Sequence, residues 1–222
     1  MSWTPPAGTA ALIFDCDGTL ADTMPVHYRA WVKVLAGVGI PFGEARFYQL
    51  GGIPTAKIIR ILSDETGVPL TDAQIEGMTV AKEEHFLEML TDVTPIEPVR
   101  VIADAYRGKL PMAVASGGYR AVIERTVQFV GMADWFGAVV CAEDVTRHKP
   151  EPDVFVEAAR RLNADPARCV VFEDTDIGLE AARRAGAVGV DVREWLPPRA
   201  GEGLPPPPVR PASPPPPPRA ES

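Results

Sequence analysis

Cysteine is scarce, long apolar runs are missing and positive charge is in the minority; each shortage removes a class of protein from consideration. The cysteines are only three, Cys16, Cys141 and Cys169. They sit in apolar, strand-like runs without metal-ligand spacing, and an odd number so placed reads as reduced thiols of a cytoplasmic protein. No apolar run is long enough to cross a bilayer. The opening "MSWTPPAGTA" has no basic stretch leading into an apolar one, so a secretory leader is not expected. Lys and Arg number 22 against 30 Asp and Glu, a formal charge of −8, which disfavours nucleic acid and membrane surfaces as partners. An anionic substrate would need a site that reverses this field locally.

What is present is ordinary for a globular chain: 46% hydrophobic and 23% charged residues over 222 positions. That length buries a sizeable core, as one domain with an insertion or as two small domains. Five short runs stand out, "AALIF" (10–14), "MAVAS" (112–116), "AVVCA" (138–142), "CVVFE" (169–173) and "VGVDV" (188–192). Their nearly continuous apolar character predicts parallel strands covered on both faces. Helical patterns lie between the later ones, at 119–131, 152–163 and 176–186, the last closing on Gly186 as a C-terminal stop. Strand alternating with helix gives an α/β fold, a Rossmann-like doubly wound parallel sheet.

Almost a hundred residues separate the first strand from the second, too many for a simple connection. Three- and four-residue apolar spacing fills the interval, in "VHYRAWVKVLAGVG", "TAKIIRILSDETG" and "TDAQIEGMTVAKEEHFLEML". The expected organisation is therefore a core of residues 1–23 and 94–196 and an inserted helical cap of residues 24–93. Ligands of doubly wound sheets sit beyond the carboxyl ends of the strands, and a cap inserted at that end covers the site. From residue 197 to 222 the composition turns to proline runs, which build neither helix nor sheet ladders; a disordered tail is expected there.

"ALIFDCDGTLADT", residues 11–23, ends an apolar run in two aspartates one residue apart. Unpaired carboxylates at the end of a buried strand cost several kcal/mol or more. An Asp-Gly hairpin turn is the plain explanation, but no second strand follows. Other strand ends bring matching pieces: Ser116 in "SGG", Lys149 in "RHKPEPD", Glu173 and Asp174 in "FEDTDIG". Singly these read as a turn residue, a solvated charge and a helix N-cap pair. Together, at the carboxyl ends of one parallel sheet, they converge on one crevice. Oxygen ligands from Asp15, Asp174 and a backbone carbonyl suit Mg²⁺. Lys149 and Ser116 would neutralise phosphoryl charge while one aspartate attacks phosphorus and the other serves as acid and base.

With "DCDGT", "ASGG", "HKPEPD" and "FEDTDIG" in order, the chain resembles the haloacid dehalogenase superfamily over roughly residues 10–193. Within it the chain is similar to the β-phosphoglucomutase-like branch with a helical cap, and "HKPEPDVF", "CVVFEDTDIGLEAARRAG" and "DVR" resemble bacterial phosphatases of fructose 1-phosphate and 6-phosphogluconate. The resemblance implies Asp15 as nucleophile and metal ligand, and Asp17 as acid/base and, through its carbonyl, a second ligand. It implies Asp174 as a further ligand with Glu173 close by, and Ser116 and Lys149 as the phosphate-binding pair. Thr23 falls at the cap hinge, and His27 and Lys82 at positions facing the substrate. The implied activity is a Mg²⁺-dependent phosphatase of a small sugar or sugar-acid phosphate, acting as a monomer. A phosphoglucomutase is the alternative; mutases of this branch grip a second phosphate with a cap arginine, where this chain has Thr55, with Lys57 nearby. A silent fold serving as a binding module is the remote one, since no acidic motif is missing. Dehalogenation is disfavoured because Asp17 is present.

Overall fold

A computed structural model describes residues 3–197. The expected tail, beyond Pro197, lies outside the described residues. Five strands, β1 (Ala11–Phe14), β2 (Met112–Ala115), β3 (Ala138–Val140), β4 (Cys169–Glu173) and β5 (Val188–Asp191), form one sheet in the order β3-β2-β1-β4-β5. Every pairing is parallel, with Phe14 of β1 opposite Val114 of β2 on one side and Phe172 of β4 on the other. The chain runs from β1 outward to β3, then crosses back to β4. The order thus reverses beside β1, where doubly wound sheets open a crevice.

Alternate side chains of a strand point to opposite faces, and the two faces differ in bulk. Leu12, Phe14, Met112, Val114, Val170 and Phe172 face α5 (Glu97–Tyr106) and α6 (Arg120–Phe129). Phe14 and Phe172 stack there at 4.7 Å. Ala11, Ile13, Ala113, Ala115 and Val171 face α7 (Asp153–Arg161) and α8 (Asp176–Arg184), which return Ala158, Ala159, Ala181 and Ala182. Gly186 sits two residues past α8 at φ +80°, the left-handed conformation of a helix stop. The fifth strand departs from the expectation of two covered faces. β5 is a sheet edge, and Val188 remains 46% exposed because it has a strand on one side only.

Between β1 and α5 lie four helices: α1 (Met24–Ala36), α2 (Glu44–Gln49), α3 (Thr55–Thr66) and α4 (Asp72–Glu88). Sequence spacing indicated all but the six-residue α2. The first turn of α4 is closed by a capping box of Thr71 with Gln74, which satisfies otherwise orphaned amides. Trp31, Leu35, Phe42, Phe47, Ile59 and Leu62 make this region a core of its own. A separate cluster, including Val26, Ala30 and Phe86 of the helices and Val122 of α6, joins it to the sheet layer. The two chain segments that connect the regions pair with each other. Asp22 N donates to Thr94 O at 2.8 Å and Ile96 N to Leu20 O at 3.0 Å, with Ala21 bridged to Pro95. No described helix is long and apolar enough to cross a membrane.

Candidate active site

A cavity of about 320 Å³ lies between the carboxyl ends of the strands and the four inserted helices. Of the residues singled out from the sequence, Asp15, Asp17, His27, Lys82, Ser116, Lys149 and Glu173 line it. Asp174 sits just behind, and Thr23 is fully buried at the start of α1.

The sheet end of the cavity is built on backbone. Asp15 follows β1 directly, its N–H donating to Phe172 O at 3.0 Å. The Lys149 ammonium donates to Asp15 Oδ1 and to Glu173 Oε1, both at 2.7 Å, and stands 4.9 Å above the Phe155 ring. The second Glu173 oxygen accepts from the Asp174 and Thr175 amides at 2.6 and 2.7 Å. Glu173 is thus clamped between the lysine and the residues that lead into α8, Asp174 and the N-cap Thr175. This packing needs Gly178: a Cβ there would lie 1.8 Å from Glu173 Oε1. Asp174 Oδ1 accepts from Thr19 Oγ1 at 3.1 Å. Ser116 Oγ accepts from Gly118 N at 3.0 Å, which fixes the turn after β2 and leaves the hydroxyl proton to the cavity.

Charge at this end is unbalanced. Asp15, Glu173 and Asp174 are buried and each offers an oxygen within 4.8 Å of the others. Burial pushes Asp15 well above the usual carboxylate range. Lys149 opposes the shift, and Glu173, Asp174 and Asp17 add to it. Burial also disfavours the Lys149 ammonium, but Asp15 and Glu173 win and raise its pKa. One lysine does not neutralise this group of carboxylates, so a cation fits. The donors are hard oxygens, the chemistry that suits Mg²⁺.

The helical end is balanced. Lys82 of α4, which as part of "AKEEHF" could have been a solvated helix charge, is buried. Its Nζ meets His27 Nδ1 at 2.9 Å and both Glu83 oxygens at 3.1 Å. An ammonium only donates, so His27 Nδ1 accepts and the ring proton lies on Nε2, facing Asp17 Oδ1 at 3.2 Å. Burial and then Lys82 hold the His27 pKa low, keeping the ring neutral; it stacks on Phe86 at 3.9 Å. Burial would raise Asp17, yet His27 and Lys82 outweigh it and keep the carboxyl below its ordinary value. Thr23 turns its hydroxyl toward Asp17 without reaching hydrogen-bond geometry. Thr55 Oγ1 donates to Glu83 Oε1 at 3.0 Å. Sequence reasoning did not single out Glu83, because a charge beside a charge on a helix carries no local sign of burial. Lys57 is exposed and does not line the cavity. The helical region is closed on the sheet: Gly52, at φ +77°, would place a Cβ 2.6 Å from Ile177 Cδ1 of α8.

Comparison with known proteins agrees with this architecture. A family model described as haloacid dehalogenase-like hydrolase matches residues 9–186. The chain is 39% identical to the fructose-1-phosphate phosphatase YqaB of Escherichia coli over 186 residues, covering 83% of this chain and 96% of that protein. It is 28% identical to the 6-phosphogluconate phosphatase of the same organism over 79% of each. The β-phosphoglucomutase of Clostridium difficile superposes with a TM-score of 0.76 at 20% identity, covering 87% of this chain and 92% of that one, and shares the fold.

Proposed function

The chain belongs to the haloacid dehalogenase-like hydrolase family, and from that premise we propose a Mg²⁺-dependent phosphatase of a small sugar or sugar-acid phosphate. The observation that carries the proposal is the Lys149 ammonium held between Asp15 and Glu173, with Asp17 across the same cavity. The similarity to two sugar-phosphate phosphatases supports it. In this reading residues 1–23 and 94–196 are the catalytic core and residues 24–93 the cap, a division favoured by the separate apolar clusters. Three free, buried cysteines favour a cytoplasmic setting, and a monomer is the proposed state.

Asp15, Asp174 and the Asp17 carbonyl would hold the Mg²⁺, with Glu173 beside them, and the ion supplies charge neutralisation for the phosphoryl oxygens. Lys149 fixes the plane of the Asp15 carboxylate and, with the Ser116 hydroxyl, faces the phosphoryl group. An Asp15 oxygen attacks phosphorus, the bond from phosphorus to the sugar oxygen breaks, and the sugar oxygen takes a proton from Asp17. Asp17 is ionised before substrate arrives. A phosphate dianion beside it raises its pKa, so the proton is taken up with the substrate. In the second step Asp17 removes a proton from water, the water oxygen attacks phosphorus, the bond from phosphorus to Asp15 breaks, and inorganic phosphate leaves with Asp15 restored as Asp17 gives up its proton to solvent. His27 Nε2–H steadies Asp17 in both steps.

The mutase alternative needs a cation on the cap for a second phosphate; Thr55, engaged by Glu83, supplies none. A phosphate-release screen over sugar monophosphates, with and without Mg²⁺, tests the proposal. Stoichiometric phosphate and free sugar are expected, only with metal. Fast conversion of β-glucose 1-phosphate to glucose 6-phosphate with scant phosphate release would put the mutase first.

A further inference from the structure

The cap end of the cavity offers acceptors and no available cation. An ammonium has three protons, and those of Lys82 are directed to His27 Nδ1 and to the two oxygens of Glu83. The Thr55 hydroxyl proton also goes to Glu83. Among the described residues that line the cavity, the remaining basic side chains are His27, His148 and Lys149. His27 is neutral, Lys149 is engaged at the sheet end, and His148 belongs to the loop between β3 and α7 on the core side. Across from Glu83, on the core side, stand Tyr119 and Glu143. The Tyr119 phenol is pushed up by burial first, then by Glu83 and Glu143, so it experiences both carboxylates. Glu143 is exposed and accepts from the Arg120 amide.

Resting on the phosphatase reading, we infer that Glu83 is a specificity-determining residue: it selects phosphates whose other end is uncharged and rich in hydroxyls, and rejects a second anionic group. A carboxylate accepts up to about four hydrogen bonds, so Glu83 retains capacity for a sugar hydroxyl beyond its bonds to Lys82 and Thr55. A carboxylate or second phosphate brought to the same place meets Glu83 and Glu143 with no cation to offset them, the neutral Tyr119 hydroxyl being a donor without charge. To be held it would have to draw Lys82 away from Glu83 and His27, and so loosen the support of Asp17. The substrate class is therefore a polyol or ketose monophosphate in preference to a sugar-acid phosphate or a bisphosphate.

The test uses ligands matched except in charge: glucitol 6-phosphate against 6-phosphogluconate, and fructose 1-phosphate against fructose 1,6-bisphosphate. Affinities are measured calorimetrically with Mg²⁺ on the full chain carrying Asp15→Asn, which prevents turnover and affects both members of a pair alike. The uncharged-ended member should bind at least about tenfold more tightly, the scale of one like-charge contact at intermediate dielectric. Adding Glu83→Gln should reduce that ratio severalfold, chiefly by improving binding of the anionic-ended member as a Lys82 proton becomes available. Equal affinities within each pair would overturn the inference, as would an unchanged ratio in a folded Glu83→Gln protein. The ligand comparison needs no change at position 83, so it decides even if that variant unfolds. Turnover by the unaltered enzyme separates the two readings. A binding preference with no phosphate released from any substrate removes the phosphatase and leaves the selector. Equal hydrolysis of both members of each pair removes the selector and leaves the phosphatase.

Discussion

The two ends of the cavity solve opposite electrostatic problems. At the sheet end Asp15, Glu173 and Asp174 crowd around one lysine on strand termini, a set of oxygens that could hold a further cation. At the cap end Lys82, Glu83, His27 and Thr55 satisfy one another, and nothing further is demanded. Stored charge imbalance belongs where a phosphoryl group must be bound and transferred. A self-satisfied network belongs where ligands are to be discriminated, because anything entering must do at least as well as the contacts it replaces.

The strongest way to test this contrast is Asp15→Asn. Phosphate release should fall by at least about a thousandfold, the scale of deleting a nucleophile. The metal-free protein should melt no lower than the parent, because the change removes a carboxylate whose ionised form burial already disfavours. Next comes the same substitution at each end. Lys149→Met leaves Asp15 and Glu173 buried without their cation and should cost about 3–5 kcal/mol in urea unfolding. Lys82→Met should cost less, about 1–2 kcal/mol, since Glu83 keeps Thr55 and some solvent.

Metal binding sharpens the comparison through pH. The folded pKa of Asp15 is raised, so the metal-free fold holds a proton that the unfolded chain releases above its ordinary carboxylate pKa. The native state therefore binds more protons, and this group lowers stability as pH rises through that window. Mg²⁺ requires the deprotonated ligand. The rise in melting temperature on adding Mg²⁺ should thus grow as pH is raised from about 5 to 7.5, an expectation differential scanning calorimetry can check. A Mg²⁺ shift independent of pH would detach Asp15 from the metal. The smallest effect is expected at Gly52→Ala, where φ +77° and the approach to Ile177 disfavour a side chain with the cap closed. Stability should change by about 1 kcal/mol, while kcat/KM falls severalfold because closure is impaired.

The sheet was legible because each strand is an apolar run, with "DCDGT", "ASGG" and "FEDTDIG" straddling or following the ends of β1, β2 and β4 and "HKPEPD" a short loop beyond β3. Parallel topology does the rest, collecting Asp15, Ser116 and Glu173 on one side whatever the distances between them in sequence. What sequence spacing left obscure is set by contacts between elements. The burial of Lys82 comes from Trp31 and Phe86 around it, and the role of Glu83 depends on Thr55, 28 residues away on another helix. Locally "AKEEHF" is indistinguishable from a solvated face. The exposure of Val188 was equally hidden, since an edge strand and a central one share the same composition.

The paired segments that lead into and out of the inserted helices limit how that region could move against the sheet. Two independent linkers would let it swing, twist and slide. Here Asp22 N–Thr94 O and Ile96 N–Leu20 O bind the outgoing and returning chain into a short ribbon. Sliding one strand past the other, or splaying them, would break these bonds at about 1 kcal/mol each, whereas flexing the ribbon across its width keeps them. On the proposed division into core and cap, such a ribbon would act as a leaf hinge that favours one rotation over the others. A cap moving on that hinge would return His27 and Lys82 to the same register over Asp17 each time, so that alignment of the two ends would be inherited from the hinge instead of being searched for anew.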